Sequence, residues 1–133
     1  MKRLLDTDTC IYLINRDRPQ VLARLQRFHP MNIAVSSLTV AELAWGVAKS
    51  GSPRNRAALE SFTASFTVMP FDGNAAFVYG DLRARLQRAG TPIGPIDMLI
   101  AAHALSLDMT LVTNNEREFR RVPDLRVENW TAA

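Results

Sequence analysis

The sequence predicts an α/β fold, a three-layer sandwich with a central, mostly parallel sheet flanked by helices, in one domain spanning residues 1–133. Short apolar runs closed by turn-formers alternate with longer segments of 3.6-residue period, which is the signature of βαβ units. Acidic residues recur where those runs end, and in open α/β sheets ligands bind beyond the carboxyl ends of the strands. With 133 residues, 47% hydrophobic and 22% charged, the chain has material for one solid core.

The first strand is the run Leu4-Leu5, cut off by Asp6 and Asp8. Thr9 to Asn15 reads as a short helix. Pro19 to Phe28 reads as a second, with Pro19 near its start and Val21, Leu22, Leu25 and Phe28 on one face. Ile33-Ala34-Val35-Ser36 is the second strand. Thr39 to Lys49 is helical, with Val40, Leu43, Ala44 and Val47 inward. Ser50-Gly51-Ser52-Pro53 is a loop. Arg54 to Phe66 is a helix around Leu59, Phe62 and Phe66. Thr67 to Phe71 is a strand that Pro70 ends. Asn74 to Ala89 is a long helix with Phe77, Val78, Leu82 and Leu86 inside and arginines 83, 85 and 88 outside. The loop 90–95 leads into a helix from Ile96 to Leu107, whose apolar face is Ile96, Leu99, Ile100, His103, Ala104 and Leu107. Thr110 to Thr113 is a strand, Asn114-Asn115 a turn, Glu116 to Arg120 a helical turn, and Leu125 to Glu128 a last strand before Trp130.

No apolar run reaches the roughly 18 residues of a transmembrane helix, so no membrane association is expected. The basic pair at the start lacks the apolar stretch of a signal peptide. Cys10 is the only cysteine, which rules out an intrachain disulfide and suits a reducing compartment, the cytoplasm. The net charge is +3. Among the 16 basic residues only Lys2 and Lys49 are lysines, and the arginine forks of the rest suit phosphate. A compositional preference for arginine explains the same count.

Four places put acid at the end of an apolar element: Asp6; Glu42, after the second strand; Asp97, after Gly94-Pro95; and Glu116 with Glu118. Each has a purely structural reading. Asp6 or Asp8 caps the first helix. Thr39-Val40-Ala41-Glu42 is a capping box. Asp97 suits a helix N-terminus, and Asn115 with Glu118 is compatible with a cap. Jointly they point elsewhere. In a parallel sheet the strand ends and helix starts share one edge, so Asp6, Glu42, Asp97 and Glu118 converge there. Carboxylates brought close need a cation or bound protons. Oxygen donors select a hard cation, Mg²⁺ or Mn²⁺, and the spacing offers no zinc site. His103 reads as a packed core histidine, and His29 has no evident partner. No nucleophile elbow, P-loop or dinucleotide fingerprint is present.

In four blocks the chain resembles the PIN-domain ribonucleases, and among them the VapC-type toxins of prokaryotic type II toxin–antitoxin modules. The blocks are Leu5-Asp6-Thr7-Asp8-Thr9, Ser37-Leu38-Thr39-Val40-Ala41-Glu42-Leu43, the run from Ile93 to Ala104 around Pro95-Ile96-Asp97, and the run from Leu111 to Phe119 around Thr113-Asn114-Asn115. The resemblance implies a PIN-like sandwich. It matches Asp6, Glu42 and Asp97 to the family's first three acids, and Glu118, with Glu116 as the alternative, to the fourth. Asp6 and Asp97 are then the metal ligands, with Asp8, Thr113 and Asn115 in support.

The activity implied is Mg²⁺-dependent endoribonuclease cleavage of structured RNA by metal-activated water, leaving a 5′-phosphate and a 3′-hydroxyl. Mn²⁺ is expected to substitute. Transfer RNA, initiator tRNA included, is favoured over ribosomal RNA. The implied partners are a second copy of the chain and a VapB-like antitoxin that blocks the acidic pocket, often with an arginine. Operator DNA is then bound only through the antitoxin complex. Asp6-Thr7-Asp8 also resembles the acid pair of haloacid-dehalogenase-type phosphatases, but those require a C-terminal lysine and this chain has none after Lys49. A phosphoacceptor receiver domain fails on the same lysine. A non-catalytic α/β binding module whose acids are all caps is the remaining alternative.

Overall fold

The computed structural model describes residues 2–132; Met1 and Ala133, the ends of the expected domain, lie outside the described residues. The elements are β1 (Arg3–Leu5), α1 (Thr7–Asn15), α2 (Pro19–Leu25), a 3₁₀ turn (Pro30–Asn32), β2 (Ile33–Ser36), α3 (Ser37–Ser50), α4 (Pro53–Ala64), β3 (Thr67–Met69), α5 (Gly73–Ala89), α6 (Pro95–Ser106), β4 (Thr110–Val112), α7 (Glu116–Phe119) and β5 (Val127–Glu128). The sheet runs β3-β2-β1-β4-β5, and every pairing among the described residues is parallel. From β1 the chain winds outward to β2 and β3, then returns to place β4 on the other side of β1. The direction of winding reverses between β1 and β4, so their carboxyl ends flank the crevice where doubly wound sheets bind ligands.

Strand alternation divides the core. Leu4, Ala34 and Leu111 face one side, packed with Leu82, Leu86, Ile100 and Phe119 from α5, α6 and α7. Leu5, Val35 and Val112 face the other, packed with Cys10, Val21 and Trp130. Strands covered on both faces need continuous apolar runs, which is why they read so plainly in the sequence. Ring stacking of Phe28 on Trp130, with centroids 5.5 Å apart, closes the second layer. Arg3 lies over Phe28 and reaches Glu128 at 2.8 Å, tying the start of the chain to its end.

Several boundaries differ from the sequence expectation. α1 starts at Thr7, because Asp6 is its N-cap. α3 starts at Ser37, because the Ser36 hydroxyl accepts the Leu38 N–H at 3.0 Å. Thr39 is therefore a buried residue inside the helix, and the expected capping box does not form. α2 ends at Leu25, three residues early, and frees Phe28 to stack. His29 has a partner after all: its Nδ1 accepts the Met31 N–H at 3.1 Å and caps the 3₁₀ turn. On α5 and α6, Phe77 is 82% exposed and Ile96 is 42% exposed, against the expected inward placement, and Ala75 and Met98 are buried instead. Ala44 is likewise exposed. Gly51 and Gly90 end α3 and α5 at φ +64° and +70°, the left-handed conformation that favours glycine.

Candidate active site

Each acid of the site arrives by a different local rule. Asp6 is the residue at which β1 becomes α1, so strand and helix fix its backbone together. Its Oδ1 accepts the Thr7 N–H at 2.8 Å, and its Oδ2 accepts the Thr113 hydroxyl at 2.7 Å. The cap and the site are thus the same residue. Asp6 is buried. Burial first, then the charge of Asp8, push its carboxyl up to about 6, against the pull of the Thr113 and Thr7 hydrogen bonds.

Glu42 stands in the second turn of α3, where the early start of that helix aims it across to α1. The Thr7 hydroxyl donates to its Oε1 at 2.6 Å and lies 3.3 Å from the Thr39 hydroxyl. Thr7 and Thr39 are the residues that sequence reasoning missed as site members. Thr7, wedged between Asp6 and Asp8, was the available signal.

Asp97 occupies the first turn of α6 and is half-buried. Burial first, then its contact with Glu118, push its carboxyl up to about 7, and Asp6 and Glu42 add to the repulsion. Glu118 moves the other way. The Gly94 N–H, donated to Oε1 at 2.7 Å, holds it below the usual carboxylate range, and the Asn115 amide donates to Oε2 at 2.6 Å. The two carboxyls touch, so the contact that raises Asp97 also lowers Glu118. Glu116, the alternative fourth acid, turns outward and pairs with Arg120 at 3.3 Å.

Asp8, Thr113 and Asn115 all bond within the turn after β4 or from it to the acids. Asp8 accepts the Asn114 N–H at 3.2 Å and the Thr9 N–H at 2.7 Å, so it pins the turn after β4 to the start of α1. That turn carries Thr113 to Asp6 and Asn115 to Glu118. The geometry separates Asp8 from the phosphatase reading, since its carboxylate is spent on the turn. His103 is a core group, as expected: its Nδ1 lies 2.8 Å from the Ser36 hydroxyl and its ring meets Phe71 edge-on. Arg83 donates to the Tyr79 hydroxyl at 3.1 Å, whereas Arg117 is exposed.

The donor set fits a hard divalent cation. Asp6 and Asp97 are raised first by burial and then by neighbouring acids, a repulsion that a divalent cation would offset. Among the described residues no three His, Cys, Asp or Glu side chains already surround one point as ligands. Beside the acids, a groove of about 880 Å³ runs between α1, α3 and α4, lined by Thr7, Glu42, Ile11 and Trp45.

The family model for the PIN domain matches residues 3–125. The tRNA(fMet)-specific endonuclease VapC of Salmonella typhimurium is 42% identical over 131 residues, covering 98% of both chains. Ribonuclease VapC2 of Rickettsia felis is 41% identical, covering 96% of both. Among solved structures, DNA-bound VapBC from Salmonella typhimurium superposes with a TM-score of 0.91 at 42% identity over 98% of both chains. VapBC2 from Rickettsia felis, bound to a fragment of its promoter, superposes at 0.90 and 39% identity over 98% of this chain and 99% of that one. The fold, the shared sheet edge and these relatives agree: the chain belongs to the PIN domain family, and within it to the VapC ribonucleases.

Proposed function

We propose that this chain is the toxin of a type II toxin–antitoxin pair, a divalent-metal-dependent endoribonuclease that hydrolyses a phosphodiester of structured RNA. The observation that carries the reading is the grouping of Asp6, Glu42 and Asp97 beside the β1–β4 switch point, with Asp6 and Asp97 raised first by burial and then by neighbouring carboxylates. Asp6 and Asp97 hold the cation, Mg²⁺ by preference with Mn²⁺ as substitute. Once bound, the cation supplies Lewis acidity, lowering the pKa of a water and offsetting charge on the phosphate.

The chain's own residues do the rest. Thr113 and the Thr7 amide fix the two oxygens of Asp6, so the ligand is pre-aimed. Thr7 fixes Glu42 Oε1 and leaves Oε2 to take the proton of the attacking water. Asp8 and Asn115 keep the turn after β4 in place. Transfer RNA is the favoured substrate, since the relative above at 42% identity is named for tRNA(fMet). The partner is a VapB-like antitoxin, because the related solved structures are toxin–antitoxin complexes. The groove beside Glu42, apolar along Ile11 and Trp45, suits a segment of that antitoxin. Operator DNA is contacted through the complex, the toxin acts as a homodimer, and its site of action is the cytoplasm. No helix of the described residues is long and apolar enough to cross a membrane.

The test is cleavage of total tRNA by purified, antitoxin-free protein with Mg²⁺, with Mn²⁺ and with chelator. Discrete fragments that require the metal support the reading. If tRNA stays whole while intact ribosomes are cut, ribosomal RNA replaces it as substrate. If neither is cut, the activity is not that of a ribonuclease on these RNAs.

A further inference from the structure

Helix α6 begins without a side-chain cap. Its N-cap, Gly94, has no side chain to accept an N–H, and Pro95 follows at the first helical position. A residue three positions past the cap is the one that can fold back onto the cap N–H, as glutamate or glutamine does in a capping box. That residue is Asp97. Here the Gly94 N–H goes instead to Glu118 Oε1 at 2.7 Å, from α7, 24 residues away in sequence. The second oxygen of Glu118 accepts the Asn115 amide at 2.6 Å. Both oxygens of Glu118 thus accept neutral donors, and its carboxylate also touches the carboxyl of Asp97. Asp97 nevertheless sits within reach of Gly94: a methyl group placed on Gly94 would meet Asp97 Oδ2 at 3.7 Å and Glu118 Oε1 at 3.6 Å.

We propose that Glu118 is a positioning residue: it caps α6 from outside the helix and so releases the Asp97 carboxylate from capping, leaving it for the cation. The proposal rests on the reading of Asp97 as a cation ligand and adds a division of labour to it. The third acid binds, and the fourth does the third acid's helix duty. Without Glu118, Gly94 N–H and cation compete for one carboxylate. Asn115 belongs to the same device, since it holds the far oxygen of Glu118 and fixes which one faces Gly94.

A ligand and a cap respond differently to loss of charge. Glutamine still offers a carbonyl oxygen to Gly94, and Asn115 meets its amide by flipping. The experiment is Mn²⁺ titration by calorimetry, without RNA, on the wild type, Glu118→Gln, Glu118→Ala and Asp97→Asn, with a crystal structure of Glu118→Ala. We expect Glu118→Gln to bind Mn²⁺ within about threefold of wild type. Glu118→Ala should bind it about tenfold or more weakly, the usual effect of removing a group that orients a ligand. Asp97→Asn should lose binding. In the Glu118→Ala structure Asp97 should turn onto the Gly94 N–H. A Glu118→Gln protein as deficient as Asp97→Asn would make Glu118 a ligand and overturn the proposal. So would Glu118→Ala with wild-type affinity and Asp97 unmoved. If Glu118→Ala does not fold, Glu118→Gln against Asp97→Asn still decides. A wild type that takes up no Mn²⁺ sinks the cation reading itself, and the position of Asp97 in Glu118→Ala then decides the cap.

Discussion

Asp97 carries the sharpest residue-level consequence. Its carboxyl is raised by burial and by three neighbouring acids, so without a cation its charge is a burden on the fold. Asp97→Asn should therefore leave the melting temperature unchanged or raise it, while RNA cleavage falls at least about a hundredfold; thermal denaturation beside a cleavage assay checks both. Thr113 is the complementary case. Thr113→Val keeps the shape but removes a hydroxyl that donates to buried Asp6 at 2.7 Å. The loss of a hydrogen bond to a charged group amounts to about 1.5–3 kcal/mol. Mn²⁺ affinity should fall with it, as titration calorimetry would show, because the freed Asp6 oxygen is no longer aimed.

At the scale of elements, the starts of α3 and α6 determine what the acids face. Ser36 closes β2, caps α3 through Leu38 and meets His103 on α6. One hydroxyl thus joins a strand and two helices beneath the site. Ser36→Ala removes a cap and a buried hydrogen bond at once, and urea denaturation should register about 1–3 kcal/mol of lost stability. The strands were legible because burial on both faces demands unbroken apolar runs, and β1, β2 and β4 fall where those runs lie. Helix starts were less legible. Thr39 has the right chemistry for a cap, but Ser36 captures the helix three residues earlier, and with it goes the capping role of Glu42. Phe77 and Ile96 keep the helical period yet face solvent; Ala75 and Met98 turn inward because α5 and α6 pack along a neighbouring stripe. Asp6, Glu42, Asp97 and Glu118 were legible as strand-end and helix-start acids. The cross-chain bonds Thr7–Glu42 and Glu118–Gly94 were not, since they depend on how α1 meets α3 and α7 meets α6.

At the scale of the whole molecule, the sites of opposite tendency set how stability follows pH. Asp6 is raised to about 6, so the folded chain holds its proton more tightly than the unfolded one, and the metal-free protein loses stability as pH climbs from about 4 to 6. The shift corresponds to about 3 kcal/mol, fully felt above the folded value. Asp97 extends that loss toward 7. Glu128 acts in reverse: the hydrogen bond from Arg3 holds it below its usual range, so the stability it contributes is present above about 4.5 and is lost as pH falls through its folded value. Melting curves without metal should therefore peak on the acid side of neutrality. Mg²⁺ should raise the melting temperature at pH 7.5 and have little effect at pH 5, where the ligands are protonated. A melting temperature that climbs steadily from pH 5 to 8 without metal would contradict this balance.

The most direct test of the central claim is cleavage of tRNA by antitoxin-free protein, wild type beside Asp97→Asn, in Mg²⁺ and in chelator. Discrete fragments are expected only from wild type with metal, and none from the variant or the chelated sample. Fragments that appear equally with Asp97→Asn, or that persist in chelator, would contradict that claim.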